Sequence, residues 1–203
     1  MDEALWAVGR ATGIVGLGLF TVSVLLGILT RAGRPAFGLP RFAVTLVHRN
    51  ASILATVFIL IHIVTLLFDP YAQLELVDLV VPFLGEYSPF WLGLGTVGFD
   101  LLLAIIVTGL LRNHIGRRTF RIVHWSTYAL WPIALAHSLG TGTDASAPAF
   151  LAFAGVCAAA VVAAVVWRLT PPFTRPDVAT TAPTVPSSSA PHCPAPTTTG
   201  VRS

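Results

Sequence analysis

The sequence predicts an all-α integral membrane protein, a helical bundle with five transmembrane helices. Hydrophobic residues make up 55% of the 203 residues and charged residues only 10%, whereas a soluble domain carries about 25% charged residues. Five apolar runs are each long enough to cross a bilayer core of roughly 30 Å. The arginines gather in alternate loops between these runs, and such a bias sets the orientation of a chain in a membrane.

The five predicted spans follow one another between the N-terminus and residue 170. Because the chain opens with Asp2 and Glu3, it lacks the basic region of a cleaved signal peptide, and the first run is expected to remain as a helix. Residues 171–203 are rich in Pro, Thr and Ser and are predicted to be a disordered tail. The domain division is therefore 1–170 and 171–203. The spans lie at about 5–30, 44–68, 91–112, 119–140 and 148–168.

Arginine placement predicts that the N-terminus is outside and the C-terminus is cytoplasmic, because basic loops stay in the cytoplasm. The loops after the first, third and fifth spans carry Arg31, Arg34, Arg41, Arg112, Arg117, Arg118, Arg121, Arg168 and Arg175. The two remaining loops have no Arg or Lys and carry Asp69, Glu75, Asp78, Glu86 and Asp144. The net charge of only +3 gives no reason to expect a nucleic-acid partner.

The longer outer loop, 69–90, is apolar between Leu74 and Leu84 and is predicted to form a short amphipathic helix on the outer surface. Such a segment would be either a cover over the bundle or a lid over an outer acceptor site. Cys157 and Cys193 form no CxxC pair, so no disulfide framework is expected.

Four histidines in the second and fourth spans are the most informative residues. His62 comes 14 positions after His48, and His137 comes 13 positions after His124. The first of these separations corresponds to about 21 Å of helix, so each helix places one imidazole near each membrane face. Since both spans run from inside to outside, depth pairs His48 with His124 and His62 with His137.

The two helices present their histidines differently. The spacing on the second span leaves His48 and His62 about 40° apart around a straight helix, which is one face. The spacing on the fourth span is one position shorter and leaves His124 and His137 about 140° apart. Pro132 lies between them and removes a backbone hydrogen bond, so a locally rewound turn there is expected to bring the rings together.

Paired imidazoles at two depths predict two bis-histidine haem sites. Imidazole is the commonest biological metal ligand, and an iron with two axial imidazoles suits electron transfer. Histidines in a bilayer could instead form a proton relay or bridge helices, since ionisable groups there are costly and usually functional. His114 and His192 fit no pair and are interpreted as structural or incidental.

The strings around these histidines resemble bacterial members of the ferric-reductase-like transmembrane family, which includes membrane domains of ferric reductases and NADPH oxidases and the haem-binding subunit of the methionine sulfoxide reductase system. The resemblance covers about residues 5–168 and implies that His48, His62, His124 and His137 ligate two haems. The five spans correspond to the last five of the six usual in that family. The strings are VHRN at 47–50, LIHIV at 60–64, IVHW at 122–125 and LAHSLGTGTD at 135–144.

Three arginines are candidate partners of anionic haem propionates, which guanidinium groups bind well. Arg49 and Arg121 are next to or near the inner histidines, although the positive-inside rule explains them equally well. Arg10 lies in the outer part of the first span, where that rule gives no reason for an arginine. Asp100 lies inside the third span, and both a structural hydrogen bond and a role in proton transfer are open for it.

The sequence therefore predicts a membrane di-haem b-type cytochrome that transfers electrons across the cell membrane as a ferric-reductase-like oxidoreductase component. A GxGxxG motif in a strand–helix context, which would indicate a flavin or nicotinamide domain, is absent from the sequence. FMN/FAD or quinone is therefore expected on a partner. The expected partners are membrane lipid, a flavoprotein or quinol donor, and an unidentified outer acceptor. The alternatives are a quinol-linked cytochrome b serving an outer flavoprotein or reductase, a non-enzymatic transporter or proton pathway, and a membrane anchor.

Overall fold

The structure is a computed structural model, and it describes residues 2–32, 40–70, 74–85, 88–141 and 146–170. Within these ranges it is helical, without strands, which confirms the predicted all-α class. The helices are α1 (Asp2–Ala32), α2 (Arg41–Leu67), α3 (Pro89–Leu110), α4 (Arg112–Trp125), α5 (Thr127–Thr141) and α6 (Pro148–Arg168).

Four of the described helices, namely α1, α2, α3 and α6, are long and apolar enough to cross a membrane. The predicted fourth span at 119–140 is not one continuous helix, because α4 and α5 meet at Ser126. There the Ser126 amide donates to the carbonyl oxygen of Val123 at 2.9 Å, which is the tight turn of a 3₁₀-helix. A further break lies within α4 itself, at Gly116, where φ is +79°.

Helix α1 lies at the centre of the described bundle. It packs along α2 in the antiparallel sense and also contacts α5 and α6, while α3 packs on α4 and α5. The indole N–H of Trp131 on α5 donates to the hydroxyl of Thr21 on α1 at 3.0 Å. Trp131 also packs with Cys157 and Val161 of α6 in the buried core. This contact holds α5 and α6 against the same helix.

The outward faces of the long helices are apolar. On α2, Leu46, Ile53 and Leu60 are 53%, 52% and 46% exposed, and their regular spacing of two helical turns places them on one face. Helix α6 also has large exposed apolar side chains, at Val156, Val162 and Val166. Large apolar surfaces of this kind are expected to face lipid in a membrane protein.

The described part of the outer loop, residues 74–85, forms hydrogen-bonded turns and not the amphipathic helix that the sequence predicts. The Asp78 carboxylate accepts from the Glu75 amide at 3.0 Å, and the Asp78 carbonyl accepts from the Thr96 hydroxyl at 2.6 Å. These bonds compete with helix formation, because a short Asp side chain that bonds nearby backbone favours a turn. They also attach the loop to α3.

Some predicted features lie outside the described residues. These are the tail at 171–203 with Arg175, His192 and Cys193, and the loop residues Arg34, Glu86 and Asp144. The orientation of the bundle in a membrane stays a prediction.

Candidate functional site

The four span histidines meet in the two pairs expected from their depth. The ring centroids of His48 and His124 are 6.5 Å apart, with the ring planes at 89°. The centroids of His62 and His137 are also 6.5 Å apart, with the planes at 83°. Because His48 lies in the first part of α2 and His62 near its end, one pair lies towards each end of the bundle.

Three of the four imidazoles donate a hydrogen bond from Nδ1 to a backbone carbonyl of a neighbouring helix. His48 donates to Ser23 at 2.9 Å, His62 to Gly9 at 2.6 Å, and His137 to Trp91 at 2.8 Å. A carbonyl can only accept, so Nδ1 carries the proton and Nε2 keeps its lone pair. This second hydrogen bond is typical of metal-binding histidines, because it fixes both the tautomer and the ring direction.

A glycine lies beside each of these three imidazoles, four residues after the accepting carbonyl. A Cβ at Gly13 would lie 3.0 Å from the His62 ring, one at Gly27 3.3 Å from His48, and one at Gly95 2.6 Å from His137. Residues i and i+4 lie on one face of a helix, so a side chain at i+4 would cover the carbonyl at i. We call this unit, an accepting carbonyl with a glycine four residues later, an imidazole seat.

The imidazole seats are the functional residues that the sequence reasoning missed, although α1 contains a signal for them. Gly27 comes 14 positions after Gly13, and the same number of positions separates the acceptors Gly9 and Ser23. The two histidines of α2 have this separation as well. Two antiparallel helices with equal spacing keep both contacts in register. Matching the spacing of glycines to that of histidines would have found both seats.

His124 differs from the other three histidines. Its Nδ1 atom is buried and has no hydrogen-bond partner in the part of the chain that the structure describes. Its ring stacks on Phe120, one turn earlier on the same helix, with centroids 5.2 Å apart and the planes at 25°. Among the described residues, His124 therefore faces His48 with no acceptor that fixes the direction of its ring.

A cavity of about 400 Å³ lies against the His62–His137 pair. Its lining is mostly apolar and includes Phe20, Phe99 and Leu130 from three helices. Arg10, a predicted propionate partner, also lines it, and its guanidinium lies 4.5 Å from the centre of the Trp6 ring. Mostly apolar walls with a few polar groups are typical of cofactor pockets.

The basic residues near the His48–His124 pair define what we call the arginine-rich end: Arg31, Arg49, Arg121 and Arg168. The predicted propionate partners Arg49 and Arg121 are both exposed. The sequence reasoning assigned no site role to Arg31, which lies one turn beyond Gly27, or to Arg168. The Arg168 guanidinium lies 5.0 Å from both the Trp125 and Tyr128 rings and donates to the Tyr128 hydroxyl.

Asp100 is in neither histidine pair and does not line the cavity described above. It lies near the middle of α3 on an exposed face. The structure therefore gives it no part in the site.

The donor set of each pair fits a haem. Among the described residues, no group of three or more His, Cys, Asp or Glu side chains comes together to hold a metal ion. A haem needs only axial ligands, because its macrocycle supplies the others. A metal–imidazole bond is about 2.0 Å long, so two imidazoles on opposite sides of one metal hold their centroids about 6.3 Å apart. The observed 6.5 Å of both pairs agrees with that separation.

Four long apolar helices around two facing imidazole pairs define a class, the multi-pass helical membrane proteins. Residues 12–135 match the family model described as the ferric reductase like transmembrane component. The match covers more than half of the 203-residue chain, so the chain belongs to this family. Comparison with curated proteins and with solved structures finds no match. The family match includes His48, His62 and His124 and ends just before His137.

Proposed function

We propose that this chain is a di-haem b-type cytochrome of the cell membrane and an electron-transferring component of a ferric-reductase-like oxidoreductase. The observation that carries the proposal is the pair of imidazole couples, each with centroids 6.5 Å apart, at the two ends of one helical bundle. Family membership supports it, because ferric-reductase-like domains generally bind haem.

In this proposal, His48 and His124 hold one haem, and His62 and His137 hold the other. Bound haem supplies a one-electron iron couple. The chain's own atoms prepare the sites: the carbonyls of Gly9, Ser23 and Trp91 direct three of the rings. Apolar walls around the His62–His137 pair exclude water, and Arg10 offers a guanidinium to an anionic group in that cavity.

The two sites lie about 21 Å apart along the helix axis, because about four turns of helix separate His48 from His62. Two sites at that separation allow an electron to pass from one end of the bundle to the other. The arginine-rich end is cytoplasmic in this proposal, following the positive-inside rule. The broken segment α4–α5 completes a fifth span, and the N-terminus lies outside.

The partners follow from the direction of transfer. A flavoprotein or a membrane quinol delivers electrons at the arginine-rich end, and FMN/FAD belongs to that partner. The acceptor meets the chain at the opposite end, where the loop at 74–85 contributes Leu74 and Leu79 to the cavity wall. The loop thus stands between the outer site and the aqueous phase.

The first test is the dithionite-reduced minus oxidised absorption spectrum of the purified detergent-solubilised protein, with haem stoichiometry. We expect a low-spin b-type spectrum and two haems per chain. The variant His62→Ala should lose one haem, whereas His114→Ala, at an exposed histidine outside both pairs, should keep both. A protein that carries no haem after expression with added haem would overturn the proposal and favour a transporter or an anchor.

A further inference from the structure

The three imidazole seats point to a fourth position that has the same sequence spacing. On α1, Gly27 comes 14 positions after Gly13, and each of these glycines contacts one histidine of α2. On α3, Gly95 contacts the histidine of α5, and the residue 14 positions later is again a glycine, Gly109. The carbonyl of Ile105 lies four residues before Gly109, so α3 carries the elements of a second seat.

No imidazole of the described residues occupies this fourth seat. A Cβ added at Gly109 would meet nothing within 4 Å, whereas one at Gly95 would lie 2.6 Å from the His137 ring. The seat is therefore empty.

His124 is the span histidine that remains without a seat, and it comes 13 positions before His137, one fewer than the 14 that separate Gly95 from Gly109. It stacks on Phe120 of its own helix instead. Its buried Nδ1 has no partner among the described residues. A buried polar group without a partner keeps its full cost of desolvation, so this position of His124 is less stable than those of the other three histidines.

The helix that carries His124 is also held less firmly than its neighbours. None of the described α4 residues is buried, whereas α5 has Leu130 and Trp131 in the core. Breaks at Gly116 and Ser126 bound the segment on both sides. Segments with few buried contacts open at low free-energy cost.

We propose that His124 is an exchangeable axial ligand, and that the His48–His124 site binds a small neutral haem ligand of the carbon monoxide or imidazole class. The inference rests on the proposed function, because it concerns the iron that those two histidines hold. In the exchange, the bond from iron to the His124 nitrogen breaks and a bond from iron to the external donor forms. No electron or proton is transferred. His48, which is seated on Gly27 and Ser23, keeps the haem in place.

The first experiment adds carbon monoxide to the dithionite-reduced protein and imidazole to the oxidised protein, and follows the Soret band. We expect half of the haem to bind carbon monoxide and the other half to stay unchanged. His48→Gly should lose one haem and with it the carbon monoxide reaction. His124→Gly should keep two haems, with one of them high-spin, and added imidazole should return that haem to low spin.

Two glycine variants provide a matched comparison on α3. Gly109→Ala should leave the haem content and the low-spin spectrum unchanged, because its seat is empty. Gly95→Ala should disturb the low-spin signature of one haem, because the new methyl group overlaps the His137 ring. If Gly109→Ala perturbs the spectrum as strongly as Gly95→Ala, His124 occupies the seat and the proposal is wrong.

The outcomes separate this inference from the function on which it rests. Two haems that both resist carbon monoxide and imidazole would overturn the exchangeable ligand and leave the di-haem cytochrome intact. Carbon monoxide binding that His48→Gly retains would also overturn the exchangeable ligand, since the reactive site would then be the His62–His137 pair. A protein without haem would overturn both.

Discussion

The acceptors that direct His48, His62 and His137 are backbone carbonyls. A carbonyl is present whatever side chain occupies position 9, 23 or 91, so substitution at those positions does not remove the acceptor. Access to it depends on the glycine four residues later, where any side chain would stand between the helix and the ring. Gly13, Gly27 and Gly95 are therefore the positions at which a single added side chain should displace an imidazole.

Gly13→Val should remove one of the two haems. A Cβ at this position would already lie 3.0 Å from the His62 ring, and the branched side chain of valine would force the imidazole away. Haem stoichiometry by the pyridine haemochrome assay measures the effect. Gly155→Val is the matched control, because Gly155 is on α6 with nothing within 4 Å of its Cβ position. Equal haem loss in both variants would contradict a specific role for Gly13.

Arg10→Gln should lower the reduction potential of one haem. Its guanidinium lines the cavity beside His62 and His137, and loss of a positive charge there favours the oxidised, more positive iron. A shift on the order of 60 mV corresponds to a tenfold change in the one-electron equilibrium. A spectroelectrochemical titration measures it. Arg49→Gln, at an exposed position, should shift either potential less. Unchanged potentials in Arg10→Gln would exclude Arg10 as a propionate partner.

At the scale of elements, the break between α4 and α5 changes the angle between His124 and His137 around the helix axis. In an unbroken helix, His124 and His137 would point about 140° apart. The tight turn at Ser126 advances about 120° per residue in place of about 100°, which reduces that angle. The sequence predicts a rewound turn at Pro132, whereas the structure has the tight turn at Ser126. Ser126 could not be predicted, because an apolar run with one serine gives no local signal for a break.

Insertion of one alanine after Ser126 should remove one haem, because it rotates His137 by about 100° relative to His124. Pro132→Ala should keep both haems, since the break at Ser126 remains. Haem stoichiometry and the reduced spectrum measure both variants. Retention of two haems in the insertion variant, or loss of one in Pro132→Ala, would show that Ser126 is not the residue that sets the direction.

The sequence allowed prediction of the helical class and of the histidine pairing by depth, because both depend on spacing along regular helices. His48 and His62 fall on one face of α2 by helix geometry alone. The turns at 74–85 could not be predicted from the apolar pattern, since the bond between Asp78 and Thr96 joins residues 18 positions apart. Likewise, the sequence could not predict that His124 Nδ1 has no partner within the described ranges, because this depends on where α4 lies against its neighbouring helices.

For the molecule as a whole, helix α1 joins the two sites and the core. It supplies the seats of His48 and His62, packs along α2, and receives the Trp131 hydrogen bond at Thr21. The matched family region begins at residue 12, inside this helix. A substitution that displaces α1 is therefore expected to affect both histidine pairs. A substitution that displaces α6 should lower the free energy of unfolding before it affects either pair.

The orientation of the whole chain is testable with its own cysteine. Cys193 should react with a membrane-impermeant maleimide only after sealed right-side-out vesicles are opened, because the positive-inside rule places the tail in the cytoplasm. Ser88→Cys places a thiol just before α3, at the end of that helix proposed to face outward, and it should react in sealed vesicles. Cys193→Ser provides the background. Labelling of Cys193 in sealed vesicles would reverse the topology and with it the direction of electron transfer.

The equal spacing of the contact residues on α1 and α2 restricts how the length of this chain can change. An insertion between Gly13 and Ser23 would move one seat relative to the other by about 1.5 Å and about 100° while the histidines stayed in place. An insertion between His48 and His62 would have the converse effect. Homologues are therefore expected to differ in length in their loops and tails, and a change within either helix would need an equal change in the other.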